Sequence, residues 1–254
     1  MLNSFRRNMT IGISSGRGVG FTIEGLKEIA RRTPSWTNGF ESIRLVSLCG
    51  GAHIGTWEYA NSRDFDADEN VFSLSALLKI PRQNVSYMSG PISMDSNSHQ
   101  PEINPKFSLD MVVIGLGQLN TQHHYLRDYN DLQLKEMSEP IRRIIEWQTK
   151  NPELRDSVAE IVLRLYPTAN KSLPLEFLET IRETNNSVLA ITPEKIKNAG
   201  EVILIAGGRQ TVNALRGLLL REYPDAPVER RNLTLVTDSW TAETILDTVL
   251  RRYG

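Results

Sequence analysis

The sequence contains a single cysteine, Cys49, so no internal disulfide can form, and a reducing compartment, the cytoplasm, is the expected location. No apolar run approaches the roughly twenty residues that span a bilayer, which excludes a helical membrane protein from the expectation. The segment Met1–Asn8 carries Arg6 and Arg7 but leads straight into a strand pattern, without the apolar stretch of a signal peptide. Basic excess is missing as well. The formal net charge is −1, and pairs such as Arg142-Arg143 and Arg230-Arg231 read as solvated helix ends or loops. A chain of this kind is not expected to hold DNA by itself. No internal repeat or low-complexity tract is present. His123-His124 is the nearest approach to an acid/base pair, but adjacent residues point in different directions and no metal-ligand spacing accompanies them. There is no G-x-S-x-G elbow. No catalytic set, metal or cofactor is therefore expected.

What the 254 residues do contain is a recurring pattern of short β-rich runs, each ending in glycine or polar residues before a helical pattern. Thr10–Ser14 leads through Ser14-Ser15-Gly16-Arg17-Gly18 into a helix with Val19, Ile23, Leu26 and Ile29 on one face. Ile43–Cys49 ends at Gly50-Gly51, and a helix around Val71–Leu78 precedes a short strand at Val85–Met88. Gly90–Phe107 reads as a long loop. Asp110–Ile114 closes on Gly115-Leu116-Gly117, read as a third glycine turn. Between Asp131 and about Thr184 the pattern turns helical, over Leu134–Gln148, Pro152–Leu165 and Leu175–Arg182, which predicts a helical insertion. Strand character returns at Ser187–Ile191, Thr192-Pro193-Glu194 opens a helix, Val202–Ala206 ends at Gly207-Gly208-Arg209, and Leu233–Val236 ends at Thr237-Asp238 before a final helix over Thr241–Arg252. The expectation is one α/β domain over residues 1–254, with a mostly parallel sheet, flanking helices and an insertion around 131–184.

Ligands of open α/β sheets gather at the carboxyl ends of the strands, where helix N-termini offer free N–H groups. Ser14, Ser15, Gly16 and Arg17 put two hydroxyls, a bare backbone and a guanidinium at such a place, a combination able to cradle an oxyanion. A well-capped turn with Arg17 in water accounts for the same residues. Gly207, Gly208 and Arg209 follow the same logic. Asp238 could accept hydrogen bonds from hydroxyls or cap the following helix. Gly16-x-Gly18-x-Gly20 lacks the spacing of a dinucleotide fingerprint.

Taken in order, Ile11-Gly12-Ile13-Ser14-Ser15-Gly16-Arg17, Cys49-Gly50-Gly51, Asp110–Gly117, Ala206-Gly207-Gly208 and Val236-Thr237-Asp238 resemble the effector-binding domain of SorC/DeoR-type sugar-responsive transcriptional regulators. The resemblance runs from about Thr10 to the C-terminus and is poorest in the middle third. It implies the fold shared by sugar-phosphate isomerases, glucosamine-phosphate deaminases and CoA transferases. It also implies a homo-oligomer that binds a sugar or sugar-phosphate effector without turning it over. By that resemblance Ser14, Ser15, Gly16 and Arg17 form a phosphate-holding turn, Gly50, Gly51, Gly115, Gly117, Gly207 and Gly208 line the pocket with Arg209, and Asp238 lies near the sugar.

The chain departs from the pattern at Gly18, where the family carries threonine, and at Thr211, where it often carries lysine. A middle Gly-Asp-Ile motif is replaced by a stretch around Leu163-Arg164-Leu165-Tyr166-Pro167. About ten residues precede the first strand, which leaves no room for the family's helix-turn-helix module, so any DNA contact is expected through a segment absent from this sequence. The alternative on the same fold is a sugar-phosphate isomerase or deaminase, for which the residues after Gly117 lack the Asp-Gly-His run of the deaminases.

Overall fold

The first strand, β1 (Thr10–Ile13), is buried along its whole length: Ile11 and Ile13 point into the core on one side, and on the other Leu48 lies against the bare backbone of Gly12. The computed structural model describes residues 6–33, 35, 39–50, 66–88, 108–118, 139–154, 157–169, 171–228 and 232–253. From β1 the chain passes through α1 (Arg17–Arg32) to β2 (Arg44–Ser47), then through α2 (Ala67–Leu78) to β3 (Val85–Ser86). It returns to the other side of β1 with β4 (Met111–Gln118), and ends in β7 (Glu201–Ile205), α6 (Val212–Leu219), β8 (Leu233–Val236) and α7 (Ser239–Tyr253). These strands form a parallel sheet in the order β3-β2-β1-β4-β7-β8. The direction of winding reverses between β1 and β4, which opens a crevice beyond their carboxyl ends.

Strand alternation sorts the core onto two faces. Ile11, Ile13, Met111, Val113, Ile203 and Ile205 pack with Val19, Ile23 and Leu26 of α1 and Val71, Leu74 and Leu78 of α2. Val112, Ile114, Leu116, Val202 and Leu204 pack on the opposite face with Ala214, Leu215 and Leu218 of α6 and Ile245 of α7. The short helix α5 (Pro193–Lys197) adds Ile196 to this second face, with Thr192 at its N-cap position as expected.

Between β4 and β7 lie α3 (Glu139–Lys150), β5 (Val158–Ile161), β6 (Arg164–Pro167) and α4 (Leu175–Ser187). This region corrects the expected helix over 152–165. Leu154, Val158, Ile161 and Leu165 do recur at helical spacing, yet Val158–Pro167 forms an antiparallel hairpin joined to the end of β4. Its turn, Val162-Leu163, has φ of 52° and 61°. Such turns normally announce themselves by Asn or Gly, and here no such signal exists. The hairpin and the two helices share a small core of their own around Ile144, Val158, Leu165, Phe177 and Ile181, with Trp147 edge-on to Phe177 at a centroid distance of 6.2 Å.

Two other expectations change. Ser187–Ile191 is not a strand: α4 runs through Ser187, and only Ala190 makes a bridge, to Cys49. Gly115-Leu116-Gly117 is not a turn but the continuation of β4, held on one edge by β7 and further along by β5. Gly51, His123, His124 and the Gly90–Phe107 stretch lie outside the described residues.

Candidate ligand-binding site

Because the main sheet is parallel, the carboxyl ends of β2, β1, β4, β7 and β8 lie side by side along one edge, and each carries one of the sequence motifs. The centre of the row is the switch point. There Ser14, almost fully buried, accepts from the Gly115 amide through its hydroxyl at 3.1 Å and donates to the Ser15 carbonyl at 2.8 Å. Its own carbonyl accepts from Asn70 Nδ2 of α2 at 3.0 Å. Ser14 thereby ties β1, β4 and α2 together and shapes the turn. Ser15 is partly exposed, and its Oγ accepts from the Cys49 thiol at 3.5 Å. Burial pushes the Cys49 thiol up to about 11, so at neutral pH it is a protonated donor and no nucleophile.

Gly16 stands before α1 with φ 118° and ψ 144°, a conformation that side chains do not readily adopt, and a Cβ there would meet nothing within 4 Å. No side chain caps α1 and its first turn holds no acid, so the first-turn amides have no capping side chain. Arg17 is the first helical residue and is exposed. Gly18, at the position of the expected threonine, has a packing reason. A Cβ would lie 3.0 Å from Ile205 Cγ2 at the end of β7.

On β4, Gly115 faces the Ser15 carbonyl, which a Cβ would approach to 3.5 Å. Gly50 is buried against Leu189 and the Met88 carbonyl, so it serves close packing at the end of β2. At the other end of the row, Asp238 accepts from the Gly208 amide (2.8 Å), the Thr241 amide (2.8 Å) and the Thr241 hydroxyl (2.7 Å). It caps α7 and at the same time ties the Gly207-Gly208 turn to it. The Thr241 bonds, then that of Gly208, hold the Asp238 carboxyl below its usual range. A Cβ on Gly207 would sit 2.7 Å from Asp238 Oδ2, and Gly208 has φ 83°, so both glycines are required by this latch. Thr211, where a lysine was expected, closes the same turn by donating to the Gly208 carbonyl at 3.1 Å. Arg209 lies over the half-exposed Trp240 ring at 5.6 Å.

The fold thus places Ser14, Ser15, Gly16 and Arg17 at the carboxyl end of β1 with Gly115 of β4 beside them, and Gly117 two residues further along β4. Gly207, Gly208, Arg209 and Asp238 lie one and two strands away, and Gly50 is packed beneath. One acidic residue escaped the sequence reading. Glu160 of β5 lies opposite Gly117 in the antiparallel register. Reading 152–165 as a helix hid it, whereas the run Val158-Ala159-Glu160-Ile161 read as a strand would have shown a lone acid there. Burial pushes the Glu160 carboxyl up, and only the bond it accepts from the Leu163 amide works against that. Among the described residues no group of His, Cys, Asp and Glu is arranged to hold a metal ion, and no helix is long and apolar enough to cross a membrane.

Comparison with solved structures matches this arrangement over nearly the whole chain. A transcriptional regulator from Streptococcus pneumoniae TIGR4 superposes with a TM-score of 0.56 at 18% identity, covering 97% of this chain and 80% of that one. The full-length sorbitol operon regulator SorC from Klebsiella pneumoniae gives 0.57 at 19% identity, over 96% of this chain and 67% of that one. The fold is that of the SorC/DeoR-type regulators. A domain of a transcriptional repressor from Vibrio fischeri, named for sugar binding, gives 0.56 at 13% identity over 97% and 83%. No family profile and no curated protein sequence matches the chain. The SorC/DeoR-type fold accounts for the sheet order and for the row of motifs at its carboxyl edge.

Proposed function

We propose that this chain is the ligand-sensing domain of a transcriptional regulator, and that it binds a sugar phosphate without turning it over. The observation that carries the reading is the switch-point turn. Gly16 holds a glycine-only conformation, α1 begins without a capping side chain or first-turn acid, and Ser15 and Arg17 flank those amides. Free N–H groups at a helix N-terminus, the helix dipole and a guanidinium together favour an oxyanion. The fold shared with SorC/DeoR-type regulators, one of them named for sugar binding, supports a sugar as the remainder of the ligand. Protonated, hydrogen-bonded Cys49 supports a binding role over nucleophilic chemistry.

In this reading the effector acts by population shift. It binds one arrangement of a homo-oligomer better than another and changes operator affinity by that difference, with the DNA held by a helix-turn-helix segment outside these residues.

A thermal-shift titration against sugars, sugar phosphates and polyols tests the proposal. A ligand that binds the native state raises the melting temperature in a concentration-dependent way. The expected result is a shift with a phosphorylated sugar that is recovered chemically unchanged. A hit that is consumed would establish an enzyme instead, and silence across the panel would remove the sugar-phosphate reading.

A further inference from the structure

In a parallel sheet with crossover helices, every strand begins and every helix ends at the same edge, so residues far apart in sequence meet there. The edge opposite the candidate ligand site gathers cations in this way. Arg6 and Arg7 precede β1, Arg31 and Arg32 end α1, Arg44 begins β2, Lys79 follows the last turn of α2, and Arg82 stands in the short helical turn before β3. All seven are exposed. Hydrogen bonds tie their segments together. The Asn8 amide donates to the Ser42 hydroxyl at 3.1 Å, the Arg44 amide to the Met9 carbonyl at 2.8 Å, and Asn84 Nδ2 to the Glu41 carbonyl at 3.0 Å. A Cβ on Gly39 would lie 3.7 Å from Arg7 Nη2. The Glu41 carboxyl is held below its usual range first by the backbone amides of Glu41 and Gly39, then by the charges of Arg7 and Lys79, so both cations lie beside it.

Among the described residues, the carboxylates of this stretch are Glu28, which pairs with both Arg31 and Arg32, Glu41, and Asp110, whose Oδ2 accepts from the Thr10 amide. Seven cations against three carboxylates leave an excess of four positive charges, in a chain whose net charge is −1. The carbonyl ends of α1 and α2 lie here too, and each helix dipole adds about half a negative charge. About three positive charges remain, more than the helix ends need and enough to attract a polyanion. Strands about 4.8 Å apart make the β3-β2-β1 stretch roughly 10 Å long, and over that length duplex DNA presents about six phosphate charges. The phosphates of a duplex stand in fixed rows, which suits cations mounted on strand starts and helix ends.

We infer that the amino edge of the β3-β2-β1 stretch is a docking surface for the phosphate backbone of duplex DNA, bound without regard to sequence. The inference goes beyond the effector reading and does not depend on it, because the effector site lies at the opposite edge of the sheet. Spread along the sequence, these cations predict no DNA contact, whereas the fold gathers them into one surface. Contacts to phosphate fix the position of a protein on the duplex and carry no base information. This edge therefore adds affinity and orientation, and leaves the reading of bases to another segment.

The test is fluorescence anisotropy of labelled duplexes of about 20 base pairs, spanning roughly two turns of DNA, titrated with three forms of the chain. These are wild type, Arg7→Gln/Lys79→Gln/Arg82→Gln at the edge, and Lys150→Gln/Lys171→Gln/Arg182→Gln, which removes as many exposed cations from the lobe of α3 and α4. For wild type the expected Kd is about 10 μM at about 50 mM salt, equal for two unrelated sequences, with log K falling against log salt at a slope of about −3. The edge variant should bind about tenfold more weakly or worse, and the lobe variant within about twofold of wild type. Arg31→Gln/Arg32→Gln, on the same edge but in another element, should bind about threefold more weakly, and it decides the matter if the edge variant fails to fold. Equal weakening by the edge and lobe variants would show an effect of net charge alone and would overturn the inference. Absence of binding by wild type, or an affinity indifferent to salt, would overturn it too. Binding to phosphatidylglycerol vesicles with none to the duplex would give the edge to a membrane surface and remove DNA as its partner. A thermal shift with a sugar phosphate alongside failed DNA binding would leave the effector reading standing and remove this one.

Discussion

Gly16 shows how much a single residue decides. Its φ of 118° lies where a Cβ strains the backbone, yet a Cβ there would touch nothing, so the need for glycine is conformational and not steric. Gly16→Ala should therefore cost about 1–3 kcal/mol in urea unfolding. It should also weaken phosphate binding, because the strain is relieved by rotating the α1 amides away from the crevice. A variant with D-alanine at this position, made by semisynthesis, should recover the stability, since a D residue accepts positive φ. A Gly16→Ala protein as stable as wild type would show that the turn relaxes freely and is not preorganised. Gly207 is the opposite case, a glycine kept because Asp238 Oδ2 occupies the space of its Cβ. Sequence alone lists both simply as glycines at strand ends. It can mark such places but cannot say which glycine faces a ligand and which faces a carboxylate of the same chain.

At the scale of the element, Asp238 couples the start of α7 to the turn after β7. Its carboxyl is held below the ordinary value by the Thr241 and Gly208 bonds, so folding favours the charged form. The stabilisation is fully present above the unfolded-state value of about 4 and is lost as pH falls through the lower folded-state value. The difference in unfolding free energy between wild type and Asp238→Asn should accordingly be constant from neutral pH down to about 5 and shrink below about 4. A difference that stays constant to pH 2 would mean that the carboxylate charge plays no part in the latch. The hairpin β5-β6 makes the converse point about elements. Its apolar residues carry a helical period, and its turn residues, Val162 and Leu163, are among the least turn-like types. Pairing with the end of β4 overrides that local pattern, since the unpaired backbone of β4 beyond the parallel sheet gains a hydrogen-bonded partner.

Across the whole molecule the core is divided. The two faces of the parallel sheet hold large clusters, and α3, α4 and the hairpin hold a third, built on Phe177. Phe177→Ala removes its largest fully buried side chain and should cost about 3–5 kcal/mol locally. Hydrogen exchange should then show faster opening over residues 139–187 while the amides of β1, β4 and β7 keep their protection. Uniform loss of protection would show instead that the third cluster and the sheet unfold as one unit. The hairpin bridges the division, since Val158 and Leu165 pack in the third cluster while Ala159, Ile161, Val162 and Tyr166 pack on the sheet.

The alternation of short apolar runs with helical faces determined, from sequence alone, that the protein is α/β with parallel strands, since strands covered on both sides must be apolar throughout. The order of glycine and hydroxyl motifs at the ends of those runs likewise located the candidate site at the carboxyl edge. The structure alone decided the rest. Strand order places β4 beside β1 and so makes Ser14 and Gly115 neighbours, although they are a hundred residues apart in the chain. Register places Glu160 over Gly117. Such contacts depend on which backbones share hydrogen bonds, and local residue spacing carries no record of that choice.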